Sequence, residues 1–373
     1  MKLELPKWYD LHAHFRQEAL LAPLIEAHLA SGCDGILAMP NTKPPVAVVH
    51  RAEETASAWS IEGYQSQLRE AGGHAFSKTL VPLYLTHNTT PTMIEEGAAS
   101  GLLEACKYYP PHGTTNSEFG APLDHFLANG VFEAMAAHDV VLCIHGEQHG
   151  LQGSDYFDSQ SNAEVQFYKE QMPLLLDAAP ELKIVCEHIT TAEAVSFVNQ
   201  HGSKVGATIT PQHLMYTVGH LVQGLRYHLY CLPLVKFEAD RAALQEAVRN
   251  PSNTQFFAGT DSAPHTTKAT ACGCAAGCYT GNCAPQLYAQ AFEQAGVDLS
   301  SAEGASTFQR FLCSNGPAFY GFTPTSETFI LEKKESALEH LETDNGPVVP
   351  LPVGLNPQHP EVPTTLDWTV IHA

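Results

Sequence analysis

Apolar positions along this chain fall in short, nearly unbroken runs separated by stretches with helical spacing. Residues 140–145 read VVLCIH and residues 183–188 read KIVCEH. Runs of that kind suit parallel strands buried on both faces. Comparable runs lie at residues 8–14, 35–40, 80–86, 104–109, 205–210 and 255–261. Helical patterns intervene, among them residues 18–30, 122–137, 192–199 and 241–248. Strands alternating with helices indicate βαβ units. Eight such units predict an α/β fold, a TIM (β/α)8 barrel, over residues 1–323. The composition changes after Thr323, where ETDNGPVVPLPVGLNPQHPEVPTT is followed by LDWTVIH. Residues 324–373 are therefore expected to form a C-terminal extension packed on the barrel.

The chemically versatile residues sit at the ends of these runs. His12 and His14 close the first, Lys107 lies near the end of the fourth, and His145, His188 and Asp261 close the fifth, sixth and eighth. In barrels of this type, catalytic groups project from the C-terminal ends of the strands. His12-Ala-His14 puts two imidazoles on one face of a strand, where both can grip one metal ion. Lys107 stands among Ala105, Cys106, Tyr108 and Tyr109, where a charged ammonium is costly. Its head must either reach solvent or lose its proton and become nucleophilic enough to add to carbon dioxide. Asp261, in Gly-Thr-Asp-Ser-Ala-Pro-His265, can cap a helix or act as a metal ligand that also accepts a proton. His145-Gly-Glu-Gln-His149 has the wrong order for a zinc-protease helix. The joint order, His-x-His then Lys, His, His and Asp, is what ties these residues to one metal site.

Composition narrows the partners. The 373 residues carry 40 acidic against 19 basic side chains, a net charge of −21. Such a field repels nucleic acid and anionic membranes. An anionic substrate would need local cations. Cys106, Cys143, Cys186 and Cys231, four of ten cysteines, lie in apolar runs, as buried free thiols do. The N-terminal MKLELPKWYD has no signal core and no run reaches a membrane span, so a cytoplasmic protein is expected.

Several segments together resemble the dihydroorotase family, in its short single-domain bacterial class within the amidohydrolase superfamily. They are Asp10-Leu-His-Ala-His-Phe-Arg16, Met39-Pro-Asn-Thr-Lys-Pro-Pro45, Lys107-Tyr-Tyr-Pro110 with Thr114-Thr-Asn-Ser117, Ile144-His-Gly-Glu147 and Cys186-Glu-His-Ile-Thr-Thr191. Further matches are Ile209-Thr-Pro-Gln-His-Leu-Met215, His228-Leu-Tyr-Cys-Leu-Pro233, Gly259-Thr-Asp-Ser-Ala-Pro-His265, Cys272-Gly-Cys274 and Asn315-Gly-Pro-Ala-Phe-Tyr-Gly321. The resemblance spans nearly the whole chain. It implies two zinc ions per subunit, the first held by His12, His14, Lys107 and Asp261. The second would be held by His145, His188 and the same lysine, carboxylated and shared. It further implies that Arg16, Asn41 and His265 hold a substrate carboxylate, and that the backbone at Leu232 and Ala276 meets the ring amides. Thr114 and Thr115 match a mobile loop, Asp261 the proton carrier. The implied reaction interconverts N-carbamoyl-L-aspartate and L-dihydroorotate, with a homodimer as the assembly.

Two features complicate that reading. The stretch from Ala271 to Cys278 is one residue longer than the family pattern, which leaves Ala275 as an alternative to Ala276. Cys272, Cys274, Cys278 and Cys283 could form a structural zinc site, but they lack paired Cys-x-x-Cys spacing, which favours a loop bordering the active site. The competing functions are a hydantoinase or allantoinase, which often place a β-domain ahead of the histidine pair, and a catalytically silent barrel scaffold.

Overall fold

The computed structural model describes residues 1–271, 273–323, 325–351 and 364–371. Eight parallel staves form the barrel: β1 (Trp8–Ala13), β2 (Cys33–Ala38), β3 (Lys78–Leu80, resumed at Leu83–Tyr84), β4 (Ala105–Tyr108), β5 (Val141–Ile144), β6 (Ile184–Cys186), β7 (Val205–Ile209) and β8 (Phe256–Ala258). Neighbours in sequence are neighbours in space throughout. The expected third run splits around Val81-Pro82, because proline has no N–H for the ladder.

Side-chain parity explains how the strands serve two cores at once. Tyr9, Leu11, Leu37, Leu80, Ala105, Val141, Cys143, Val185 and Phe257 pack together inside the barrel, with Phe319, Tyr320 and Phe322 against them. The alternate positions, such as Trp8, Ile36, Cys106, Leu142 and Ile184, pack in the larger cluster that includes the helices. Nearly all stave positions are buried, and most are apolar, which is why the runs read as continuous.

The helices follow their local signals. Ala192–Gln200 starts at Thr191, whose side chain accepts from the Ala194 amide. The segment 122–137 is two helices, Leu123–Asn129 and Val131–Ala137, because Gly130 at φ 81° interrupts it.

The closing seam between β8 and β1 is built at the upper rim. The Asp261 amide donates to the His12 carbonyl at 2.8 Å, and the His14 amide donates to Ser262 at 2.9 Å. Below this, the buried Asp10 carboxylate accepts from the Thr260 amide at 2.9 Å and the Thr260 hydroxyl at 2.7 Å. His28 Nε2 donates to the same carboxylate at 3.2 Å. A side chain thus stands in for missing ladder bonds.

Beyond the barrel, Thr328–Glu332 pairs antiparallel with both Lys2–Pro6 and Thr369–Ile371. The fully buried Trp368 donates to Glu293 at 3.1 Å. Half of the proline-rich stretch expected to wrap the barrel, residues 352–363, lies outside the described residues. Among the described residues, no helix is long and apolar enough to cross a membrane.

Candidate active site

Lys107 follows Ala105 by two positions and His145 follows Cys143 by two, so both continue the inward parity of the barrel core. Asp261 bears the same relation to Phe257, four positions on. His188 breaks the rule. Its neighbour Glu187 keeps the inward parity of Val185, and His188 reaches the site through a backbone turned to φ 39°. Asp261 at φ 47° and Arg16 at φ 58° are also left-handed. Each such residue costs about 1–3 kcal/mol, held by the surrounding packing.

These side chains meet. His14 Nε2 lies 3.0 Å and His12 Nε2 3.4 Å from Asp261 Oδ1. The three residues form a group able to hold a metal ion. The His188 ring lies 4.8 Å, centroid to centroid, from both the His12 and the His145 ring. Lys107 is fully buried, with its Nζ 4.9 Å from the centre of the Tyr109 ring. Lys107 Nζ and His188 Nδ1 are both buried without a hydrogen-bond partner. Two orphan nitrogens beside a His-His-Asp group fit a site built for cations, since buried polar atoms are otherwise paired.

Burial dominates the electrostatics. It pulls the Lys107 pKa down, against the opposing charges of Glu187, Cys143 and Asp261. It also holds His12 and His188 well below the usual histidine range, helped by Lys107 at His12 and by His145 at His188. Burial would raise Asp261, but the His14 hydrogen bond and the charges of His12 and His14 bring it below the ordinary carboxylate value.

Two glutamates that the sequence reading passed over orient the histidines. His12 Nδ1 donates to Glu187 Oε2 at 2.7 Å, leaving Nε2 turned toward Asp261. Thr208 Oγ1 donates to the same Glu187 oxygen at 2.5 Å and accepts from the His188 amide at 2.7 Å. Burial raises Glu187 to about 7 despite Lys107 nearby. His145 Nε2 donates to Glu147 at 2.9 Å. Carboxylates behind histidines in this way fix the ring tautomer. Their sequence signal was present in Cys186-Glu187-His188 and in the Ile144-His-Gly-Glu147 segment, as acids beside strand-end histidines.

A cleft opens above, bounded by His14 and Asp261 below and by Arg16, Asn41, Thr114, Thr115, Leu232 and Ala276 around it. Asn41 Nδ2 donates to the Thr115 carbonyl at 2.9 Å, and Asn116 Nδ2 returns a bond to the Asn41 carbonyl at 2.9 Å. His265 stands behind this wall, with Nε2 2.8 Å from the Ala276 carbonyl and 3.3 Å from Arg16 Nη2. Burial, then Arg16, lowers His265 to about 3. The Ala275 amide and carbonyl are both engaged by Lys268, whereas Ala276 and Gly277 face the cleft. Cys272 lies outside the described residues. Cys274 and Cys278 bond the Tyr227 and His228 carbonyls, and Cys283 packs in the main core. Among the described residues these thiols form no metal-holding group.

A (β/α)8 barrel with histidines, lysine and aspartate gathered on its C-terminal rim defines a hydrolase barrel of the amidohydrolase superfamily. The chain is 41% identical over 355 residues to the dihydroorotase of Aromatoleum aromaticum, covering 92% of this chain and 95% of that one. It therefore belongs to the dihydroorotase family, hydrolases acting on cyclic amide bonds. The dihydroorotase of Halorhodospira halophila is 40% identical over 360 residues, covering 94% of this chain and 96% of that one. Among solved structures, Saccharomyces cerevisiae dihydroorotase in complex with 5-fluoroorotic acid superposes with TM-score 0.85 at 26% identity, covering 100% of this chain and 98% of that chain. L-hydantoinase from Arthrobacter aurescens shares the fold, with TM-score 0.70 at 14% identity, covering 99% and 84%. No family model matches the chain.

Proposed function

We propose that this protein reversibly interconverts N-carbamoyl-L-aspartate and L-dihydroorotate for pyrimidine synthesis, with two zinc ions per subunit. The observation carrying this reading is the pair of orphan nitrogens, Lys107 Nζ and His188 Nδ1, beside His12, His14 and Asp261 below a cleft bearing Arg16. His12, His14, Lys107 and Asp261 would hold one ion, and Lys107, His145 and His188 the other. Lys107 serves as its carbamate: the neutral amine adds to carbon dioxide, a C–N bond forms and a proton leaves. The ions supply Lewis acidity and make a water nucleophilic near neutral pH.

The chain's own groups do the rest. In ring opening, Asp261 accepts the proton of the attacking water and returns it to the leaving amide nitrogen. In ring closure it delivers that proton to the departing water. Arg16 pairs the substrate carboxylate through its fork, with Asn41 beside it. His265, neutral at physiological pH, donates its Nε2–H to the Ala276 carbonyl and stands beside Arg16. The backbone at Leu232 and Ala276 receives the ring edges, and the Thr114–Thr115 loop covers the substrate and excludes water. A cytoplasmic homodimer is the working form, checked by light scattering of the purified protein.

The deciding experiment is a spectrophotometric assay on L-dihydroorotate, hydantoin and allantoin, with and without a chelator. Turnover confined to dihydroorotate and abolished by metal removal is expected. Preference for hydantoin or allantoin would reassign the substrate, and chelator-resistant turnover would reject the metal site.

A further inference from the structure

Lys268 is 93% shielded, yet it makes no ion pair with a carboxylate among the described residues. Its ammonium instead donates to three backbone carbonyls: Tyr230 at 2.7 Å, Ala275 at 2.5 Å and Gly277 at 2.5 Å. The acidic side chains nearest in effect are the thiols of Cys278, Cys274 and Cys231, and burial lowers the lysine pKa. A buried cation without a carboxylate is expensive, so its retention calls for a use.

The three carbonyls belong to the two segments that form one wall of the cleft. Tyr230 precedes Leu232 by two residues, and Ala275 and Gly277 flank Ala276. Lys268 also receives the Ala275 amide at its own carbonyl, and the Gly277 amide donates to Tyr230, both closing the same ring of bonds. An ammonium has three donors and no acceptor, and here all three are spent on this wall.

We infer that Lys268 is a positioning residue for substrate binding: its ammonium clamps the 275–277 segment to the 230–232 segment and so sets the backbone of Leu232 and Ala276 against the ring. The inference rests on the proposed assignment of this cleft as the dihydroorotate site. The Lys268 ammonium bonds none of the proposed metal-site residues, so its loss should weaken binding without emptying the floor.

The test compares Lys268→Met, which keeps the stem and removes the donors, with Lys268→Arg, which keeps the charge, and with Arg16→Ala. For Lys268→Met, the KM for L-dihydroorotate should rise about tenfold or more while kcat changes much less. Metal content should match the wild type, and Lys268→Arg should recover part of the lost affinity. An unchanged KM in Lys268→Met, beside a raised KM in Arg16→Ala, overturns the clamp and leaves the cleft assignment standing. An unchanged KM in both overturns the cleft assignment itself. If Lys268→Met does not fold, a KM in Lys268→Arg raised less than its kcat is lowered overturns the inference.

Discussion

The floor and the wall of this site are made by different means. The floor, His12, His14, Lys107, His145, His188 and Asp261, comes from strand ends: barrel parity places Lys107, His145 and Asp261, a turned backbone brings in His188, and Glu187 and Glu147 lock two of the rings. The wall, Arg16, Asn41, residues 114–116 and residues 230–232 with 275–277, comes from loops held by side chain to backbone bonds. On the proposed reading, chemistry sits on strand ends and recognition on loops, which can vary without moving the strands. Floor variants should therefore lose turnover or metal, and wall variants should lose affinity.

The largest effect is expected at Asp261. Asp261→Asn should keep its circular dichroism spectrum and lose about 10²–10⁴-fold in kcat, and near-normal turnover would remove it as proton carrier. Lys107→Ala should bind markedly less zinc by elemental analysis, with small carboxylic acids restoring part of the activity. Full occupancy without added acid would rule out a bridging carbamate. Arg16→Ala crosses to the wall: KM for dihydroorotate should rise about 10- to 100-fold, while neutral cyclic amides are affected far less. Equal losses on both substrates would break the division between floor and wall. Asn116→Ala, which removes one of the two bonds joining its loop to Asn41, should raise KM about threefold with normal metal content. The smallest effect concerns acid stability. His265 is held neutral down to about 3, against an ordinary value of 6.5, so the native state loses stability as pH falls from 6.5 toward 3. His265→Gln should flatten the acid limb of a thermal unfolding profile over that window.

The floor was legible in the sequence because a strand buried on both faces leaves only apolar letters until its end. A lysine or histidine there stands out against VVLCIH or KIVCEH. Barrel order followed from the same runs. The wall was legible only through family resemblance, since Thr-Thr-Lys268-Ala-Thr has no apolar period and reads as solvated loop. Its burial depends on carbonyls elsewhere in the chain, which no local pattern encodes. Glu187 was hidden for a different reason. In Cys186-Glu-His188, alternation assigns only one of the two polar residues to the interior, and the turn at His188 that brings both inward is a tertiary effect. The break in β3 was written at Pro82 and overlooked within an otherwise apolar run.

The barrel seam at Asp10, His12 and Thr260 joins positions 250 residues apart. A chain emerging from the ribosome therefore carries the first two histidines long before their aspartate exists. Until residue 261 arrives, β1 lacks one neighbour and the His12–His14 pair lacks the carboxylate beside it, so the seam closes late in synthesis. Completing the cylinder and bringing Asp261 to the two histidines are thus a single late event.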